Sequence, residues 1–327
     1  MKLILSTSNI MGGGPSVIRR PTVEKSNTEL TSSLRANFAA HQLAPSSTRP
    51  PIGIPTAPTR KPLQAWTAQE GSTLYIPALD VSGSALAEER SQYDITVKLF
   101  YLPNIPASAR CAHTREAIDL VLRSLGVKSI DLLIVSFPGI SFDADDSDSD
   151  ADSPTTTTTT TTTSDPSTDP SAATTPDDFA TMQQTWQAAE TLHSAGTIGK
   201  LGVAEFGVQR LTRFLPLTRV PPAVDQINVR DCCVVPKPLI LYAREQRIEL
   251  LTHNDCTNIL PRGTLRELLG PGEKGAAVLA GAAEAAEQGR LKGDVEPLWV
   301  VKYTAVVKDR GVVESKGYFA VAELKEE

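Results

Sequence analysis

The residues able to do chemistry are few and widely spaced. Lys98 lies in Ile95-Thr96-Val97-Lys98-Leu99, where apolar and polar side chains alternate as in a half-buried strand. An ammonium group there either neutralises a carboxylate inside the fold or touches a ligand. Gln226 sits in a comparable run, Pro222-Ala223-Val224-Asp225-Gln226-Ile227-Asn228. Cys232 and Cys233 are adjacent and follow Asp231. They read either as small buried residues at a strand end or as a redox-sensitive contact to another protein. The neighbouring carboxylate raises rather than lowers a thiol pKa, which counts against high reactivity. His253, Asp255 and Cys256 have metal-ligating side chains, but successive strand residues point to opposite faces, so no convergence and no metal is expected. Gly12-Gly13-Gly14 lacks the Lys-Ser/Thr and the βαβ frame of a phosphate loop and reads as a turn.

The elements that must position these groups follow from periodicity. A short strand is expected at 3–6 and an amphipathic helix at 27–40, where Leu30, Leu34 and Phe38 recur at helical spacing. Strands are expected at 73–79 and 93–100. Beyond them a regular alternation sets in, with helices at 115–125, 178–195, 208–215 and 237–246. Strands are expected between them at 130–137, 200–203, 223–229 and 248–252. The 130–137 run is almost unbroken apolar sequence, as in a strand buried on both faces of a parallel sheet. Gly126 and Gly196 stand where helices should stop. The fold class is therefore α/β, and so many βα units in one run favour a closed barrel.

Composition bounds the rest. With 327 residues, 40% of them hydrophobic, the chain can build one large domain, so 1–327 reads as a single barrel domain. Two stretches depart from it. Residues 44–62 are crowded with Pro, Ser and Thr and read as a loop. Residues 143–177 hold an acidic Ser-Asp run and nine consecutive threonines, too little apolar surface to repay ordering, so disorder is expected. That insertion reads either as neutral or as a site of phosphorylation or glycosylation. The net charge of −6, without a basic run, argues against a nucleic-acid partner. No apolar stretch reaches membrane-spanning length, and the four cysteines lack zinc spacing, so a soluble cytoplasmic protein is expected.

Leu125-Gly126-Val127-Lys128-Ser129-Ile130-Asp131-Leu132 resembles the L-G-V-x-x-I-D-L stretch of aldo-keto reductases. The Lys98 strand, the unit from Trp186 to Val203 and the Gln226 strand resemble further units of that family in the right order. The resemblance implies a (β/α)8 TIM-type barrel. It also supplies a test, because these enzymes protonate a carbonyl with a tyrosine acidified by a lysine and an aspartate, beside an orienting histidine. Lys98 matches the lysine, Ser136 falls where the histidine should be, and no D-T-A-x-x-Y motif precedes Lys98. Gln226 matches the residue holding the nicotinamide amide. Ala204-Glu205 replaces the S-N pair, His253 replaces the stacking tyrosine, and the tail lacks the K-S-x-x-x-x-R phosphate clamp. Lys98, Ser136, Glu205, Gln226 and His253 are thus expected as a vestigial barrel mouth, with no catalytic residue and no bound NADPH.

Within that superfamily three blocks resemble the modifier (regulatory) subunits of glutamate–cysteine ligase. They are Gln226 to Cys233, Leu250 to Asp255, and the tail from Pro297 to Tyr318. This implies a non-catalytic partner forming a heterodimer with the catalytic ligase subunit, tuning its glutamate affinity and glutathione feedback, with Cys232 or Cys233 as a candidate contact. The alternative is an NADPH-dependent aldo-keto reductase with a rearranged site.

Overall fold

The computed structural model describes residues 1–11, 26–42, 60–79, 86–103, 105–142, 178–228, 235–256, 258–272, 274–281 and 290–325. The 143–177 insertion, most of the 44–62 loop, and Cys232 and Cys233 lie outside the described residues.

The expected βα run is present: β4 (Tyr93–Tyr101), α2 (Ala107–Leu125), β5 (Ile130–Ser136), α3 (Phe179–Ser194), β6 (Ile198–Ala204), α4 (Val208–Phe214), β7 (Val224–Asn228), α5 (Lys237–Gln246) and β8 (Glu249–His253). These five strands pair in parallel in chain order. Local signals fix the helix ends. The Asp178 carboxylate caps α3 by accepting from Thr181 N at 2.7 Å. Gly126 closes α2 in the left-handed conformation, and Gly196 takes the same conformation just past α3.

The other strands are β1 (Lys2–Ser6), β2 (Ala68–Glu70), β3 (Thr73–Ile76) and a long hairpin of β9 (Asp294–Val307) and β10 (Val312–Lys325). The sheet order is β2-β3-β1-β10-β9-β4-β5-β6-β7-β8. The α/β class is as expected, but the strands beyond β4 differ from repeated βα units. β9 lies antiparallel to β4, β10 to β9, and β1 to β10. Among the described residues no ladder joins the two ends of the order, β2 and β8.

Alternation along β4 divides the core. Ile95, Val97 and Leu99 turn towards α2 and α3. Phe100 turns to the opposite, inner face, with Leu3, Leu5, Val300 and Tyr318. That face is covered by α1 (Ser26–Gln42), through Leu30, Leu34 and Phe38, and by α6 (Thr264–Leu269). The sheet is strongly curled. β4 and β8 are four places apart, which is roughly 19 Å in a flat sheet, yet Lys98 of β4 and Asp255 just past β8 touch at 2.9 Å.

At Gly317 of β10, a Cβ would stand 2.5 Å from the Ser8 carbonyl oxygen and 2.5 Å from the Tyr303 hydroxyl. Gly317→Ala should therefore cost about 1–3 kcal/mol through overpacking, measured by urea unfolding.

Candidate functional site

The site is built on the inner face, where the strand ends converge. Lys98 points inward from β4, and Lys302 of β9 sits directly opposite it in the antiparallel ladder. Like charges at such a position repel. The conflict is resolved by Asp255, whose Oδ2 accepts from Lys98 Nζ at 2.9 Å and whose Oδ1 accepts from Lys302 Nζ at 2.8 Å. Lys98 and Asp255 are only 4% and 5% exposed. Burial works to raise the Asp255 carboxyl pKa, but the charges of Lys98 and Lys302 outweigh it and hold the group well below the usual carboxylate range. Burial pulls the Lys98 ammonium below its ordinary value, and Asp255 offsets part of that shift.

The network continues from Asp255 in both directions. The backbone N–H of Asp255 donates to His253 Nδ1 at 3.0 Å, so a neutral imidazole carries its proton on Nε2. That nitrogen lies 2.5 Å from Glu205 Oε1, off the N–H direction, so the contact is electrostatic rather than a formed hydrogen bond. Glu205 follows β6 with a positive φ of 67°, uncommon for a residue with a side chain, and its Oε2 accepts from Phe142 N at 3.1 Å. On the other side the Lys302 ammonium lies 5.9 Å from the centre of the Tyr318 ring. The Tyr318 hydroxyl donates to Glu29 Oε1 at 2.6 Å, and Lys316 Nζ donates to Glu29 Oε2 at 2.8 Å. Burial, reinforced by the Glu29 charge, pushes the Tyr318 phenol far above its ordinary pKa.

Lys98 and His253 thus both meet Asp255, His253 approaches Glu205, and the Glu205 N–H donates to the Gln226 carbonyl at 3.0 Å. Ser136 ends β5, opposite Phe100 in the ladder with β4, and among the described residues its hydroxyl makes no hydrogen bond. Gln226 holds a buried Oε1 that has no hydrogen-bond partner among the described residues. One expectation is corrected. His253 and Asp255 do converge: residues two apart share a face, and the Asp255 N–H turns back onto the imidazole. Cys256 goes elsewhere, with its Sγ 3.4 Å from Asn27 Oδ1. Among the described residues no group of three or more His, Cys, Asp and Glu is placed to hold a metal.

Sequence reasoning missed Asp255 as the partner of Lys98, and missed Lys302, Tyr318 and Glu29 altogether. Lys302 did leave a signal, a lone cation inside the apolar run Leu298 to Tyr303.

The arrangement lacks the geometry of a carbonyl-reducing acid. Such an acid needs a phenol made more acidic by a neighbouring ammonium. Here Lys98 is committed to Asp255, and Tyr318 donates its hydroxyl hydrogen bond to Glu29 with its pKa displaced the wrong way. Gln226 offers a spare acceptor for the amide of a nicotinamide, but the position of the stacking ring is filled by His253, buried and held between Glu205 and Asp255.

Residues 68–257 match the aldo/keto reductase family, and the chain belongs to it. Within it, the chain is similar to proteins named glutamate–cysteine ligase regulatory subunit. It is 25% identical to that of Mus musculus over 274 residues, covering 81% of this chain and 82% of the relative. It is 27% identical over 236 residues to the putative one of Schizosaccharomyces pombe, covering 70% and 71%. Among solved structures, an aldo-keto reductase from a Medee basin deep-sea metagenome library matches at 20% identity with a TM-score of 0.33. That match covers 50% of this chain and 45% of that one, so it spans less than half of the solved protein.

Replacing Asp255 by Asn strands the buried Lys98 ammonium and the partly buried Lys302. The expected loss is about 3–5 kcal/mol, and Lys98→Met in the same chain should restore part of it. Folding lowers the Asp255 pKa, so the unfolded chain binds this proton more readily. Its contribution is complete above an unfolded value of about 3.9 and is lost as pH falls towards the folded value. Denaturant titrations between neutral and acid pH should show the variant with a flatter acid limb.

Proposed function

We propose that this chain is a non-catalytic regulatory subunit that binds the catalytic subunit of glutamate–cysteine ligase. In this reading it raises that enzyme's affinity for glutamate and weakens feedback inhibition by glutathione. It works in the cytoplasm and holds no NADPH of its own. The observation that carries the reading is the mouth itself: its lysine is sequestered by a buried carboxylate and its phenol is bound to Glu29, in a chain whose relatives bear the name of that subunit. No helix among the described residues is long and apolar enough to cross a membrane, which agrees with a partner met in solution.

The mechanism is a coupling between interface and ligand sites. A subunit that binds one conformation of the ligase better than another shifts the population towards it, by as much as the difference in binding free energy and no more. Mixing the full-length chain with the catalytic subunit should give a heterodimer on gel filtration. The KM for glutamate should fall, and inhibition by glutathione should weaken, by about fivefold or more. A chain that stays apart from the ligase, or joins it without changing either constant, overturns the proposal.

The alternative is an NADPH-dependent reductase, favoured by family membership and by the spare Gln226 acceptor. Fluorescence titration with NADPH followed by an aldehyde assay separates the two readings. The regulatory reading expects no saturable binding and no turnover. Turnover that disappears in Lys98→Met would establish the enzyme.

A further inference from the structure

The helix-covered face of the sheet, opposite the inner face that carries the mouth, has a cleft between α2 and the β2–β3 hairpin. It holds about 500 Å3 of space and is partly open to solvent. The hairpin forms one wall. Ala68 and Glu70 are two apart on β2, and Tyr75 stands directly across from Ala68 in the antiparallel ladder, so the three share a face. The helix forms the other wall, where Leu120 and Arg123, three apart on α2, are neighbours on its surface. Leu79, just past β3, adds a further apolar side chain, and residues 80–85 that follow it lie outside the described residues. Three polar groups here are uncommitted. Tyr75 is 8% exposed, yet among the described residues its hydroxyl makes no hydrogen bond. Glu70 and Arg123 are exposed on opposite walls, and among the described residues neither side chain forms an ion pair. Surface charges often stand alone, but a hydroxyl this deeply buried ordinarily has a partner.

We propose that this cleft binds a free α-amino acid with an apolar side chain, its ammonium against Glu70, its carboxylate on Arg123 and its side chain between Leu79 and Leu120. The proposal is independent of the regulatory reading above. The class of ligand follows from the lining. Charges of opposite sign on opposite walls are both matched only by a molecule that carries both. Arg123 presents the planar fork that a carboxylate accepts in two parallel hydrogen bonds. The Tyr75 hydroxyl can donate to that carboxylate or accept from the ammonium, so it serves either end of the molecule. Ala68, Leu79 and Leu120 leave the remainder apolar, which suits a hydrocarbon side chain better than a sugar. The size agrees, since small-ligand sites occupy roughly 300–1,000 Å3. A fatty acid or a simple amine would leave the charge on one wall unmatched.

Isothermal titration of the full-length chain with L-leucine tests the proposal, beside isopentylamine and 4-methylpentanoate, which each lack one of its charges. L-Leucine should bind saturably with a Kd of about 1 mM or below, and each single-charge probe about tenfold more weakly or worse. Glu70→Gln and Arg123→Gln change exposed side chains and should each weaken leucine by about tenfold. Tyr75→Phe removes only the hydroxyl and should weaken it by about threefold or more. Should Tyr75→Phe fail to fold, the two surface variants decide. Absence of saturable binding of L-leucine, L-valine or L-phenylalanine up to about 10 mM overturns the proposal. So does leucine binding that Glu70→Gln and Arg123→Gln leave within about twofold of wild type. Binding of the amine or the carboxylate as tightly as the amino acid overturns the assignment of a zwitterion. None of these outcomes bears on whether the chain joins the ligase.

Discussion

A single carboxylate, Asp255, holds the inner face of this protein together. It reaches two ammonium groups from neighbouring antiparallel strands, Lys98 and Lys302, which would otherwise repel each other in a dry environment. It also follows β8 immediately, so the same contact fastens the far end of the parallel run to β4 and β9. A buried ion pair is weak evidence for stability, because desolvation cancels much of its attraction. Its effect here is geometric. Hydrophobic burial is non-directional and tolerates many degrees of curl, whereas an ion pair between two side chains and a strand end tolerates few.

The same contact bears on chemistry. A lysine at a barrel mouth acidifies a phenol only while its charge is available to that phenol. Asp255 takes up that charge, Lys302 is shared between Asp255 and the face of the Tyr318 ring, and the Tyr318 hydroxyl is directed at an anion. Each group of the network stabilises its neighbours in their resting protonation states. Asp255 and Tyr318 are displaced away from neutral pH, while burial draws the Lys98 ammonium down towards it and Asp255 offsets part of that shift. Lys98 is committed to the Asp255 carboxylate.

Much of the βα run was legible in the sequence because its signals are local. The apolar run of β5, the spacing of Leu30, Leu34 and Phe38 on α1, and the glycines after α2 and α3 each report on a few neighbouring residues. The long hairpin of β9 and β10 was not read. The tail mixes Val and Ala with Lys, Glu and Thr, without a turn signal as plain as Asn-Gly. The site was half legible for the same reason. Lys98, Gln226, Glu205 and His253 stand at family positions, but the partner of Lys98 lies 157 residues away and obeys no spacing rule. His253 and Asp255 were expected not to converge, yet residues two apart on a strand share a face; alternation separates only the neighbours Asp255 and Cys256, both of which lie past the end of β8.

In a barrel closed by ladders on every side, the curl is set by strand tilt and backbone register. Here Asp255 ties the end of β8 to β4 and β9, and among the described residues no ladder forms on the edge of β8 away from β7. The interaction that quiets the mouth therefore also keeps the end of that strand in a defined position.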